Sequence, residues 1–494
     1  MKTSIIFFSY LSLVLSLDDD TEIKVNYYEK LIKDAINKAK NYNLPKDNSA
    51  HFKNVSKDIR EFGTFDFIVV GAGTSGSVVA SRLSEVEGFN ILLLEAGGWD
   101  DDLTDIPYPS LILQLSDRNW GYYTVPQKNG CYGWKGRQCA YAAGKLIGGS
   151  GSIGQLAYVR GNKADYDNWS SMGNQGWSFE EVLPYFKKLE NFDSDDIDLN
   201  YRGFAGPVNV EYGNVKEHFE ILSEPLIELG LGVGEDYNGR KQIGSFRNQI
   251  NTKYARRVSG ASAYIRPSLT RHNFNVTLRA LVTKILINEI TRTAHGVEFI
   301  QNGQKFIARA KREVILCAGG INTAQLLMLS GIGPIDELLK HSIPIIANLP
   351  VGKELKDHYL AFLSYKSSRH YKKIPLRNAI LDYLNGTGIL GRPTNALGES
   401  FVNTRDASSS VPNIEYIYYP PFPICYPLPF QSNFTDEAQE YMKELSHNFN
   451  IAVLLLHPKS TGTLKLRSRS MIDFPLIDIG MFEIKKIWKH FTKV

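Results

Sequence analysis

Between Phe65 and Gly76 the chain reads Phe-Asp-Phe-Ile-Val-Val-Gly-Ala-Gly-Thr-Ser-Gly. The apolar run Phe67–Val70 predicts a strand and Ser77–Leu83 predicts a helix, with Gly71, Gly73, Thr74, Ser75 and Gly76 at the junction. In such a unit Gly71 makes the tight turn, Gly73 lets the backbone approach a pyrophosphate, and Gly76 lets the helix pack close to the strand. The phosphates then rest on the helix N-terminus, where unpaired N–H groups and the dipole favour negative charge. A second apolar run, Asn90–Leu94, ends in Glu95. That acid lies about 20 residues past the glycines, where a carboxylate takes ribose hydroxyls. A glycine-rich turn in an unrelated α/β protein would lack this context. The chemistry is therefore the binding of an adenine dinucleotide, and these residues alone do not separate FAD from NAD.

Two further glycine-rich stretches follow. Gly144–Ser152 can lie as backbone against a flat ring or a diphosphate, or can be a plain flexible loop. In Ala318–Pro334 an apolar strand, Val314–Cys317, meets Gly319 and Gly320. Asn322 is expected to cap a short apolar helix, Gly331 to end it and Pro334 to stop its continuation. Leu326, Leu327 and Leu329 are expected in the core, and Cys317 reads as a buried free thiol.

Taken together these motifs resemble the glucose–methanol–choline (GMC) family of FAD-dependent oxidoreductases, and within it the secreted insect members. The resemblance runs from about Phe65 to about Asp478. It rests on Gly71–Gly76 with Glu95-Ala96-Gly97-Gly98, on Gly148-Gly149-Ser150 with Tyr158–Asn162, on Gly319–Gly333, and on Leu455–Ser460. It implies an α/β fold: a discontinuous Rossmann-like FAD-binding domain with an interleaved α+β substrate domain on an antiparallel sheet. It also implies FAD as cofactor. Glu95 with Ala96 would hold the adenosine ribose and Val282 would contact the adenine side. Leu146 to Ser152, including Gly149 and Ser150, would line the flavin, and Ala318 would belong to the third cofactor-binding motif.

The reaction implied is oxidation of the CH–OH group of an alcohol, sugar or steroid alcohol, with hydride passing to flavin N5 and a histidine taking the hydroxyl proton. The acceptor would be oxygen or a quinone-like compound. In the family that histidine and its Asn or His partner follow the region matched by Pro475-Leu476-Ile477-Asp478, and the sequence stops at Val494. No catalytic residue is assigned, and the chain reads as an incomplete copy. His457 and His358 match structural positions, and His490 lies in a divergent tail. Gly151 and Gly154 stand where the family has Ser and Asn, Ala324 replaces Pro or Ser, and Glu354 replaces Asn. Two alternatives stay open: a non-catalytic GMC-like binding protein, and a flavin-containing lyase acting on cyanohydrins.

The rest of the 494-residue chain must position these turns. Residues 1–17, with Lys2 and the short apolar run Ile5–Leu17, read as a secretory signal. Residues 18–62 hold an amphipathic helix over Tyr28–Tyr42 and a polar linker. Residues 63–350 form the nucleotide-binding region, starting near Gly63, with substrate-side insertions over about 160–255. Residues 351–478 are substrate-domain sequence and 479–494 a divergent tail. Helix Phe179–Leu189, strands over 275–278 and 284–288, and a hairpin at Asn302-Gly303 with a separate strand from Val314 are expected.

A hydrophobic content of 43% and a net charge of +4 fit a folded chain without a nucleic-acid-binding block. No run beyond the N-terminus is long and apolar enough to span a membrane. Five sequons, at Asn54, Asn168, Asn275, Asn385 and Asn433, agree with export. Cys131 and Cys139 flank a small turn-rich loop that one disulfide can close, and Cys425 has no evident partner.

Overall fold

The computed structural model describes residues 19–108, 110–194, 198–213, 216–366, 373–392, 396–421 and 433–483. The expected signal segment, Cys425, most of the proline cluster 420–429, His490 and the basic end 485–490 lie outside the described residues.

Two sheets organise the chain. The larger has six strands in the order Phe274–Thr277, Ile91–Leu94, Ile59–Val70, Gln304–Leu316, Ala294–Gln301, Leu281–Ile287. The first four are mutually parallel and the last two join as antiparallel partners. Parallel strands covered on both faces read as continuous apolar runs. Ile91–Leu94 is buried at every residue. Alternation decides which core each side chain joins. Ile68, Val70, Leu92 and Leu94 face the cluster with Val297, Phe299 and Leu326. Val69, Ile91 and Leu93 face Ala72, Ala80 and Ile147, beside the helix Thr74–Leu83.

Several boundaries differ from the sequence expectation, each for a physical reason. The first strand begins at Ile59, well before the expected Phe67, and Gly63 sits at a register shift with φ +141°. A bulge keeps the polar start of the strand paired. The returning strand is one piece, Gln304–Leu316, not two. Its charged middle stays in the ladder through its backbone pairing with Ile59–Val70, and Arg309 also meets the exposed Glu61 of that strand at 2.8 Å. The leading helix spans Asp19–Lys40, earlier than expected, with Asp19, Asp20 and Glu22 complementing its N-terminal dipole. It buries Val25, Ile32, Ile36 and Ala39 and sets Tyr28 edge-on to Tyr383 of the helix Leu376–Leu384.

The second sheet is antiparallel, with five strands in the order Tyr359–Tyr365, Phe449–Leu455, Ile414–Tyr419, Gly398–Val402, Gly244–Arg247. A smaller sheet of Glu190–Asp193, Val208–Tyr212 and Gln249–Ile250 lies in the inserted segment. Helix Phe179–Leu189 forms as expected, with Ser178 and Glu181 making a capping box.

The inserted segment is tied by a buried ionic cluster. Glu190 meets Arg160 at 2.7 Å and Arg202 at 3.0 Å, and none of the three side chains is more than 3% exposed. Arg202 also holds Asp236 with two bonds of 2.9 and 2.7 Å. A buried pair of this kind adds little net energy over an apolar isostere, but removing one partner strands the other charge. Glu190→Gln is therefore expected to cost about 3–5 kcal/mol of unfolding free energy. Urea unfolding of the two proteins measures this, and a loss below about 1 kcal/mol would place the cluster among solvated surface pairs.

Candidate functional site

Four chain segments meet beyond the carboxyl ends of the parallel strands, where open α/β sheets place their ligands. The first is the turn after Val70. Gly71 has φ +97°, and a Cβ there would lie 2.5 Å from the Cys317 carbonyl oxygen. A Cβ on Gly76 would lie 1.8 Å from the Gly71 carbonyl oxygen, so Gly76 serves close packing of helix on strand. A Cβ on Gly73 would meet nothing nearer than Gly149 Cα at 3.8 Å. Gly73 N-caps the helix without a side-chain cap, which leaves its first N–H groups facing the space beside Thr74 and Ser75.

The second segment is Gly144–Ser152. It is not a loose loop, because Gly148 N–H donates to the Ala72 carbonyl at 2.8 Å and Ile147 N–H to Gly98 at 2.9 Å. Gly149, at φ +56°, packs its backbone against Gly73. The third segment is the helix Gly319–Leu329, whose N-cap Ala318 also supplies no side-chain bond. The fourth is Glu95, buried at the end of its strand. Its carboxylate accepts from Ala72 N–H at 2.9 Å and Gly97 N–H at 2.8 Å. Burial pushes this carboxyl up to about 7, against the pull of those two donors and of Lys145.

These segments enclose a cavity of about 870 Å³. Of the residues expected to bind cofactor, Gly71, Gly73, Thr74, Ser75, Glu95, Ala96, Gly149, Ser150, Val282 and Ala318 line it. Gly76 lies behind the wall. Leu146 and Ser152 also differ from expectation. Leu146 is buried in the cluster that holds Ile112 and Ile153, and Ser152 donates to the Ile147 carbonyl at 2.9 Å. The short 3₁₀ turn Gly149–Ser152 turns Ser152 inward and leaves Gly149 and Ser150 facing the cavity, while Leu146, before the turn, is held by its core contacts.

Cys317 is a free, half-buried thiol that packs against the cluster of Val69, Ile91 and Leu93 and also lines the cavity. Asn322 does not cap its helix. It sits in the first turn and accepts a hydrogen bond from the Tyr122 hydroxyl at the cavity wall. Gly331 follows the helix end in the left-handed region at φ +88°, as its position suggested.

The far end of the cavity was not foreseen. It is walled by Trp120, Tyr141, Leu355 and Met471. Trp120 precedes and Tyr141 belongs to a small ladder, Tyr122–Tyr123 with Ala140–Tyr141, near the Cys131–Cys139 disulfide, whose Cα atoms are 5.4 Å apart. Its alternating aromatics were the available signal, and nothing local marked Met471. Trp120 and Met471 share a hydrophobic cluster with Tyr359, Val453 and Leu455 of the five-stranded sheet. The cavity thus runs from the nucleotide turns to the junction with that sheet.

No histidine lines the cavity among the described residues. His457 bonds Asp165 at 2.9 Å away from it, and this bond raises the imidazole pKa. Among the described residues no cluster of three His, Cys, Asp or Glu could hold a metal, and no helix is long and apolar enough to cross a membrane.

The arrangement fits an adenine dinucleotide. Two uncapped helix N-termini face one space, a buried carboxylate retains free lone pairs for ribose hydroxyls, and the apolar Ala280, Leu281 and Val282 line the adjoining wall.

Known proteins share this design. Residues 65–360 match the GMC oxidoreductase family. A glucose dehydrogenase [FAD, quinone] of Drosophila melanogaster is 35% identical over 428 residues, covering 84% of this chain and 66% of that protein. An oxygen-dependent choline dehydrogenase of Brucella anthropi is 33% identical, covering 86% of this chain and 75% of that protein. The chain thus spans just under two thirds of the glucose dehydrogenase. A formate oxidase of Aspergillus oryzae shares the fold with a TM-score of 0.73 at 24% identity, over 86% of this chain and 79% of that one. An FAD-dependent oxidoreductase of Chaetomium thermophilum superposes with a TM-score of 0.66 at 26% identity, over 84% and 78% of the two chains. The matched region contains the glycine turns, Glu95, Val282 and the Gly319 helix, and on this ground the chain belongs to the GMC oxidoreductase family.

Proposed function

We propose that the protein is an FAD-dependent oxidoreductase acting on the CH–OH group of a small alcohol, sugar, steroid alcohol or choline-like substrate. The observation that carries this reading is the single cavity joining two helix N-termini and Glu95 to an aromatic end beside the antiparallel sheet. Gly73, Thr74 and Ser75 with the Gly319 helix would take the pyrophosphate, and Glu95 the ribose. Gly149 and Ser150 would meet the ribityl and ring side. Bound FAD supplies the hydride acceptor. The glucose and choline dehydrogenases to which the chain is similar carry quinone and oxygen in their names, which supports an acceptor of one of these two kinds.

Secretion is part of the proposal. The Lys2 and Ile5–Leu17 segment supports it, as does the Cys131–Cys139 disulfide, a bond that persists in oxidising compartments. Asn54, Asn168, Asn275 and Asn385 are exposed and Asn433 is half-exposed, so all five sequons are offered as glycosylation sites. Asn275 is the most engaged, because its amide donates to Asn90 at 2.8 Å.

The direct test is purification with FAD present. The chain is expected to hold one flavin per molecule; bleaching by an alcohol under anaerobic conditions would separate a working oxidoreductase from the non-catalytic binding protein. A colourless protein after reconstitution would contradict the reading.

Glu95 gives a pH signature. The folded apoprotein keeps its proton up to about pH 7, whereas an unfolded chain loses it near the ordinary glutamate value of 4.5. The folded state binds more protons between these values, so its stability falls as pH rises through that window. Ribose hydroxyls donate to the charged carboxylate, so FAD affinity is expected to rise over the same window. Glu95→Gln should flatten both trends. Apoprotein melting and FAD titration at about pH 5 and about pH 8 check this; equal slopes in the two proteins would rule it out.

A further inference from the structure

Arg257 ends a short hairpin, Thr252–Lys253 with Arg256–Arg257, in the inserted segment. Its side chain is buried, with 4% of the residue exposed. The Nε–H donates to the Thr104 carbonyl at 2.7 Å, and Nη1 donates to Gly151 at 3.1 Å and Gly154 at 2.8 Å. Gly151 belongs to the 3₁₀ turn whose Gly149 and Ser150 line the large cavity. One guanidinium thus holds the back of the turn whose front forms the cofactor wall.

The charge itself has no contacting counter-ion. Among the described residues no carboxylate pairs with Arg257, the nearby Asp105 lying instead 4.0 Å from Arg256, and its Nη2 has no hydrogen-bond partner. Asp105 acts on it electrostatically, and burial lowers its pKa to about 10, so it remains a cation at neutral pH. Both Arg257 and Asp105 line a second cavity of about 520 Å³. A buried unpaired cation is costly to keep. If the turn needed only support, neutral donors could provide it.

We infer that Arg257 is a positioning residue for the flavin, holding the Gly149–Ser152 turn through the Gly151 carbonyl and the chain just after it through Gly154, braced on Thr104, and placing a positive charge behind the turn that raises the cofactor's reduction potential. The inference rests on the reading that the large cavity holds FAD. Reduction adds negative charge to a flavin, and a fixed nearby cation in a poorly solvated site favours the reduced form.

The test uses the whole chain loaded with FAD, at about pH 8, where Asp105, pushed up to about 6 by burial and by Asp100, is ionised. FAD dissociation constants and two-electron midpoint potentials are measured for wild type, Arg257→Gln, Arg257→Lys and Asp105→Asn. Arg257→Gln is expected to bind FAD at least about tenfold more weakly and to shift the potential downward. Arg257→Lys keeps the charge but cannot span three carbonyls, so its potential returns toward wild type while binding stays weak. Asp105→Asn removes the opposing charge from a partly exposed site and should shift the potential upward with FAD affinity unchanged. Wild-type affinity and potential in Arg257→Gln would overturn the inference, as would an unmoved potential in Asp105→Asn. If the Arg257 variants do not fold, Asp105→Asn decides alone. A wild-type chain that takes up no FAD would sink the reading beneath the inference, and the inference with it.

Discussion

The backbone of Gly149 lies against the backbone of Gly73 so closely that a Cβ on Gly149 would come within 2.7 Å of Gly73 Cα. The cavity depends on this approach. It is held by bonds between the same segments: Gly148 to Ala72 and Ile147 to Gly98. Gly97 continues the seam, because a Cβ there would fall 2.0 Å from the Lys145 carbonyl oxygen across it, and Gly144 lets its own segment fold back on itself, a Cβ there falling 2.3 Å from the Gly149 backbone. Side chains along this line would separate the turns and pull the N-terminus of the Thr74 helix away from the wall opposite it. Glycine carries an entropic cost in folding, and here it permits contact between two turns that are distant in sequence.

Packing beneath the turns holds the seam in place. Leu146 and Ile147 anchor opposite hydrophobic clusters, one with the leading helix and one under the parallel sheet. Glu190, Arg160 and Arg202 fix the inserted segment from which Arg257 reaches back to the same turn. The two sheets are joined through the Trp120, Tyr359 and Met471 cluster. The aromatic end of the cavity is therefore set by tertiary packing between parts of the chain far apart in sequence, and the nucleotide end by local turns.

That division explains what was legible in the sequence. The Gly71–Gly76 turn, Glu95 and the Gly319 helix are local patterns in which spacing encodes geometry, and the structure brings them together. The start of the first strand, Ile59–Asp66, was missed because charges and the bulge glycine Gly63 break its apolar pattern, and only the partner strand keeps it in the sheet. Arg309–Glu313 broke the apolar pattern of its strand, yet backbone pairing with the neighbouring strand keeps the segment in the sheet. Asn322 has the composition of a cap but bonds Tyr122, a partner 200 positions away. Leu146 and Ser152 lie in the right stretch, but a 3₁₀ turn decided which of its residues face the cavity. Tyr141 and Met471 carry no motif, and only the fold places them there.

The central claim is that the Gly73–Gly149 approach builds the FAD site, and FAD affinity of Gly149→Ala measured beside Gly173→Ala tests it most directly. Both glycines have positive φ, +56° and +98°, so both substitutions strain the backbone. A Cβ on Gly149 collides with Gly73, whereas one on Gly173 meets nothing within 4 Å. The account predicts that Gly149→Ala binds FAD at least about tenfold more weakly than Gly173→Ala, which keeps wild-type affinity. Equal affinity in the two variants would contradict it.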